Sequence, residues 1–202
     1  MHPFEVDAVL GALAAIFRGE PRDAAQRTAE ALVTTPAPGA IGPRPACSFD
    51  DEIRRVLATS DVPAAAAILA AQQFLPWGTN PVAGRMTDDA ASICAVAEIL
   101  GPEGPIPAPD LRAGLLFQRA DTYYPLHNHL AEETYVILAG RALWTAGEDV
   151  RMRSAGALIH HPRLMAHAFR AGPEGFVALY RWSGDIGPQS YTFLEDPALR
   201  AG

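Results

Sequence analysis

The sequence predicts a mainly β protein with an α-helical N-terminal half, the helices preceding a small antiparallel β-domain. Three observations carry this. Ahead of Gly101, apolar residues recur at helical spacing in runs that end at Gly or Pro. A Pro-rich connector, GPEGPIPAPD, follows. Beyond Asp110 the apolar stretches shorten (LLFQ, YVILAG, ALWTAG, ALIHH, HAFRA, FVALYRW) and alternate with Gly, Pro or charged turns, the rhythm of a β meander closed into a sandwich or barrel. The division falls at the connector, with a helical region over 1–110 packing on a β-domain over 111–202.

In order, residues 4–18 carry Val6, Val9, Leu10, Leu13, Ile16 and Phe17, a helical stripe that stops at Gly19. A second, Ala-rich helix covers 22–34. The segment over 35–47 holds four prolines and two glycines, which excludes regular structure and suggests a loop that could serve as a lid. Ser48 followed by Asp51 marks a helix start for 49–59. Asp61 is expected to cap a helix over 62–74 that buries Ile68, Leu69 and Phe74. PWGTNP breaks the chain. Thr87, Asp88 and Asp89 then open a fifth helix, with Ile93, Val96, Ile99 and Leu100 as its apolar stripe and Gly101 as its stop.

Composition narrows the function classes. A net charge of −7 and the lack of a Lys/Arg run speak against a nucleic-acid partner. No apolar run approaches the ~20 residues of a membrane span. The N-terminal stretch opens without Lys or Arg and carries Glu5 and Asp7, so no secretory leader is expected. Cys47 and Cys94 lack metal or redox spacing and read as reduced thiols. These features together predict a cytoplasmic protein, monomeric or homodimeric.

Five of the six histidines fall between 127 and 167; the sixth, His2, is terminal. In an extended chain His127 and His129 project to one face, and Glu133 and Tyr135 share that spacing on the next strand. Imidazoles and a carboxylate converging from one local unit form a plausible first shell for a divalent metal, with His167 as a further ligand. His160 and His161 are adjacent, so at most one faces inward; both are assigned structural or solvent-exposed positions. Tyr123 and Tyr124 likewise alternate faces.

These residues resemble the two motifs of the cupin superfamily. In the first, G-x5-H-x-H-x3,4-E-x6-G, His127, His129, Glu133 and Gly140 match, with Asp121 in place of the leading glycine. In the second, G-x5-P-x-G-x2-H-x3-N, Gly156, Pro162 and His167 match, while Leu164 and Ala171 replace the second glycine and the asparagine. The helical half, the tyrosine two residues after the motif glutamate, the Tyr123-Tyr124-Pro125 triplet and the closing YRWSGD make the chain similar to the short branch of the bacterial cupin-type dimethylsulfoniopropionate lyases. That resemblance implies a small β-barrel or jelly roll and one divalent transition metal per chain (Zn, Fe(II) or Mn foremost). The metal ligands it implies are His127, His129, Glu133 and His167. The reaction it implies is a β-elimination yielding acrylate and dimethyl sulfide.

The implied chemistry suits the residues. A metal on the substrate carboxylate stabilises charge that develops when the α-proton leaves. Free tyrosine has a pKa of about 10, so a tyrosine base needs a nearby cation. Tyr135, two residues from Glu133, is the first candidate base and Tyr124 the second. The sulfonium suits an aromatic wall, assigned to Trp182 and Tyr124, with Trp77 and Phe74 reaching the barrel mouth from the helical side. Two other classes use the same ligands: a different metal cupin enzyme, such as a dioxygenase or isomerase, and a non-catalytic cupin that binds a small ligand.

Overall fold

The computed structural model describes residues 3–35 and 41–197. His2 and residues 36–40 of the predicted loop lie outside the described residues. The first stripe forms helix α1 (Phe4–Arg18), burying Val6, Val9, Leu10, Leu13, Ala14 and Phe17. Helix α2 (Asp23–Thr34) packs its Ala25, Ala29 and Leu32 face beside it. Helix α3 (Asp50–Leu57) starts one residue later than expected and has no side-chain cap from Ser48; the Asp50 carboxylate ties down the entering turn instead. Asp50 accepts the Cys47 amide at 2.9 Å and pairs with Arg44. Helix α4 (Pro63–Ala71) starts with Pro63, whose missing N–H is no loss in a first turn, and has no side-chain cap from Asp61.

The predicted fifth helix is corrected. Thr87 does cap α5 (Asp88–Ser92), accepting the Ala90 amide at 3.2 Å, but the helix ends at Ser92. Cys94–Leu100 is strand β1, buried at every position. Its outer residues Ala95, Ala97 and Ile99 meet the helical layer, and its inner residues Cys94 and Val96 face the barrel. A strand buried on both sides reads as a continuous apolar run, and such a run can imitate a helical stripe.

The remaining strands are β2 (Leu111–Gln118), β3 (Tyr123–Asn128), β4 (Ala131–Ala146), β5 (Asp149–Ser154), β6 (Leu158–His161), β7 (His167–Gly184) and β8 (Thr192–Phe193). Every pairing between these strands is antiparallel, in the order β1-β2-β7-β3-β8, with β4 joined to β5, β6 and β7. The long strands β4 and β7 bend where their register shifts, which lets one sheet close into a barrel. Gly140 sits at such a bulge with φ +74°, and a Cβ there would collide with the Gly175 carbonyl oxygen.

Two apolar clusters result. One lies between α1–α4 and the outer face of β1, β2, β4 and β7. The other fills the barrel and includes Tyr124, Tyr135, Trp144, Phe169, Tyr180, Trp182 and Tyr191. A buried polar tie joins helical layer to barrel: Arg181 on β7 donates to Glu20, in the turn after α1, at 2.9 Å, and to Thr134 on β4 at 3.0 Å.

Candidate metal and catalytic site

The alternation of β4 sends Glu133 and Tyr135 into the barrel and Thr134 and Val136 outward. β3 delivers His127, the turn after it His129, and the first residue of β7 His167. All four ligand candidates are almost wholly buried. Each of these three histidines is held by its own backbone neighbourhood. Nδ1 lies 2.8 Å from the Pro125 carbonyl in His127, 3.1 Å from the Ala131 carbonyl in His129, and 2.8 Å from the Met165 carbonyl in His167. A carbonyl only accepts, so each Nδ1 carries the proton and each Nε2 keeps a lone pair.

Those lone pairs converge. The donor nitrogens of His127, His129 and His167 lie within 4.8 Å of one another. Nε2 of His129 and Nε2 of His167 each lie 3.1 Å from Oε2 of Glu133. Three lone pairs gathered together, two of them facing a carboxylate, repel one another unless a cation lies among them. The donor set therefore fits a divalent transition metal, with a backbone carbonyl fixing each imidazole tautomer.

Burial shapes the protonation states. It drives the His127 ring well below its ordinary value, with His167 adding to the effect. For Glu133, burial pushes the carboxyl up, but the neighbouring rings of His129, His161 and His167 hold it well below the usual range. Tyr135 is pushed well above 10 by burial and then by the Glu133 charge; Tyr124 rises too, by burial foremost.

Sequence reasoning assigned His160 and His161 away from the site; His161 is corrected. It faces inward, 1 % exposed, with Nδ1 3.5 Å from Oε2 of Glu133. Burial lowers its ring to about 4. The period-2 rule signals that one of the pair must point in, and the register places His161 directly opposite Glu133.

Beside the cluster is a small cavity of about 40 Å³ lined by Tyr124, Tyr135, Phe169, Tyr180, Trp182 and Tyr191 among others. Trp182 lies in its wall, its ring 4.3 Å from that of His129 and its indole N–H donating to Oε1 of Glu133 at 2.6 Å. Tyr124 stacks on Phe169 at 4.8 Å, and its hydroxyl meets that of Tyr191 at 2.8 Å. Tyr123 points away, bonding Asp196 and lying under Arg170.

Trp77 and Phe74, expected at the mouth, pack instead in the outer cluster; Asn80, Pro81 and Val82 reach the cavity from that segment. Ile41 and Cys47 of the predicted loop also pack against the outer cluster. Tyr191 had no local signal. It follows the last long strand and is placed by tertiary bonds from Arg85 to its carbonyl and from the Leu130 amide to Ser190.

Comparison with known proteins follows the same lines. A family model described as dimethylsulfoniopropionate lyase matches residues 22–178. The chain is 34 % identical over 121 residues to the dimethylsulfoniopropionate lyase DddQ of Ruegeria pomeroyi, a match covering 59 % of this chain and 60 % of the relative. This chain thus spans 60 % of that relative's length in the match. A crystal structure of DddQ from the same organism is similar with a TM-score of 0.63 at 26 % identity, covering 90 % of this chain and 92 % of that one. A structure described under the lyases RdDddP and RnDddQII has a TM-score of 0.69 at 22 % identity, covering 95 % and 98 %, and shows the shared fold. No helix among the described residues is long and apolar enough to cross a membrane.

Proposed function

The chain belongs to the dimethylsulfoniopropionate lyase family, and from that premise we propose that it cleaves dimethylsulfoniopropionate to acrylate and dimethyl sulfide by β-elimination. The observation that carries this reading is the convergence of three Nε2 lone pairs and the Glu133 carboxylate beside a chamber walled by aromatic rings and tyrosine hydroxyls. His127, His129, Glu133 and His167 would hold the ion. A divalent transition metal there supplies Lewis acidity toward a carboxylate and positive charge beside the tyrosine hydroxyls.

The chain's own residues do the rest. Tyr135, on the ligand face two residues from Glu133, takes the proton α to the substrate carboxylate. The C–H electron pair becomes the second bond of the alkene, and the β C–S bond breaks with its pair leaving on sulfur as neutral dimethyl sulfide. Tyr124 is the weaker base candidate because its hydroxyl is engaged with that of Tyr191. The rings of Trp182 and Tyr124 face the sulfonium through cation–π attraction, and Trp182 is fixed in that pose by its bond to Glu133. The buried chamber keeps bulk water from the base.

The test is headspace dimethyl sulfide from the purified, metal-reconstituted protein given dimethylsulfoniopropionate. Dimethyl sulfide and acrylate in equal amounts are expected. Loss of both bound metal and product is expected in His129→Ala, Glu133→Ala and His167→Ala. No sulfide above the buffer control, with bound metal verified, rejects the lyase reading. Full activity in both Tyr135→Phe and Tyr124→Phe rejects a tyrosine base.

A further inference from the structure

Glu133 has a directly registered partner on each side: His161 on β6 and Trp182 on β7. Each sends a ring nitrogen to one oxygen of the carboxylate. Trp182 Nε1–H donates to Oε1 at 2.6 Å, and His161 Nδ1 lies 3.5 Å from Oε2. The state of His161 is fixed from behind, where its Nε2 meets Nε1 of Trp144 at 3.0 Å. An indole N–H can only donate, so His161 Nε2 must supply the lone pair and the neutral ring carries its proton on Nδ1, toward Glu133. Trp144 has little freedom to change this. It is 1 % exposed and stacked on Phe169 at 4.5 Å, with Tyr135 edge-on at 5.0 Å.

By distance alone His161 also belongs to a possible metal-binding group with Glu133 and His167. The Trp144 bond removes it from that role: one nitrogen accepts and the other is protonated, so neither has a lone pair for a metal. We propose that His161, locked in one tautomer by Trp144, is a positioning residue. With Trp182 it holds the plane of the Glu133 carboxylate and leaves the remaining lone pairs directed at the histidine cluster. The inference rests on the metal-site reading above. Outer-shell partners of this kind typically alter metal affinity by ~10–100-fold.

The test is Co(II) titration of the full chain, read by visible absorption, with thermal melts alongside to verify folding. His161→Ala is expected to weaken Co(II) binding by ~10–100-fold and to shift the absorption bands. His161→Asn, whose amide N–H stands near the Nδ1–H position, is expected to recover most of the affinity and the wild-type bands. Trp144→Phe leaves the imidazole unlocked and is expected to fall between wild type and His161→Ala. Ile159→Ala, on the same strand, is expected to lower the melting temperature without moving the bands. Wild-type affinity and bands in folded His161→Ala overturn the proposal, as does His161→Asn behaving no better than His161→Ala. Trp144→Phe indistinguishable from wild type overturns the tautomer lock. Failure of the wild type to bind Co(II) overturns the metal reading, and this inference with it. A chain that binds Co(II) as described yet releases no dimethyl sulfide contradicts only the lyase assignment.

Discussion

Replacing Glu20 by alanine strikes the tie between the helical layer and the barrel. Glu20 is 1 % exposed and Arg181 0 % exposed, and they meet at 2.9 Å. Removing one partner of a buried pair typically costs 3–5 kcal/mol, because the remaining charge stays buried. Arg181 keeps bonds to Ser183 at 2.7 Å and Thr134 at 3.0 Å, and the half-exposed Glu132 lies 3.5 Å away. These place the loss at the low end, about 3 kcal/mol. For a chain of this size that is a fall in melting temperature of about 6–12 °C, at about 2–4 °C per kcal/mol. The assay is thermal unfolding by circular dichroism, with urea unfolding as the second axis. Glu20 Oε2 and Arg181 Nε have no hydrogen-bond partner, so the pair is imperfectly satisfied. An apolar pair, Glu20→Leu with Arg181→Met, is therefore expected to recover most of the loss. A melting temperature for Glu20→Ala within 2 °C of wild type refutes the reasoning, as does a double variant less stable than Glu20→Ala.

Three further outcomes follow from particular contacts. Gly140→Ala must hold a Cβ at φ +74° against the Gly175 carbonyl, so urea unfolding should show a loss of at least about 1–2 kcal/mol; an unchanged midpoint contradicts the bulge geometry. Asp50 is raised by burial but lowered overall by its bonds to Arg44, Cys47 and Gln72. Its folded pKa lies below the unfolded value, so its contribution is present above about pH 4 and is lost as pH falls through the folded value. Asp50→Asn should therefore cost about 1–2 kcal/mol near neutrality and progressively less in acid; a cost independent of pH between 7 and 3 refutes the assignment. Chelation of the reconstituted protein should lower its melting temperature, and re-addition of metal should restore it; identical melts with and without metal contradict a site that binds in the folded state.

The parts of the fold legible in sequence are those with one dry face. α1 shows its stripe because solvent takes the other side: Val6, Val9, Leu10 and Leu13 are buried while Asp7 and Gly11 are exposed. β1 hides because neither side is wet, so Val96 facing the barrel and Ile99 facing the helices look like one helical stripe. At the site, His127, His129 and Glu133 are legible because strand alternation and close spacing join them within a few residues, while His167 is legible through the second, downstream motif. His161 needed the register between β4 and β6. Tyr191 needed a turn whose position is set by Arg112 reaching the Ile186 carbonyl and Arg85 reaching its own, bonds between residues far apart in the chain. The same holds for Asn80 and Val82, which enter the cavity because Gly78 and Thr79 bond the backbone of β1.

Proton transfer and metal binding are expected to separate at Tyr135. Dimethyl sulfide released per mole of bound metal, compared between wild type and Tyr135→Phe, addresses this directly. The expected result is that Tyr135→Phe keeps its full metal content and releases at least ~100-fold less sulfide, the scale of losing a positioned base. A Tyr135→Phe protein that holds metal and releases sulfide at the wild-type rate contradicts the assignment of proton abstraction to this residue.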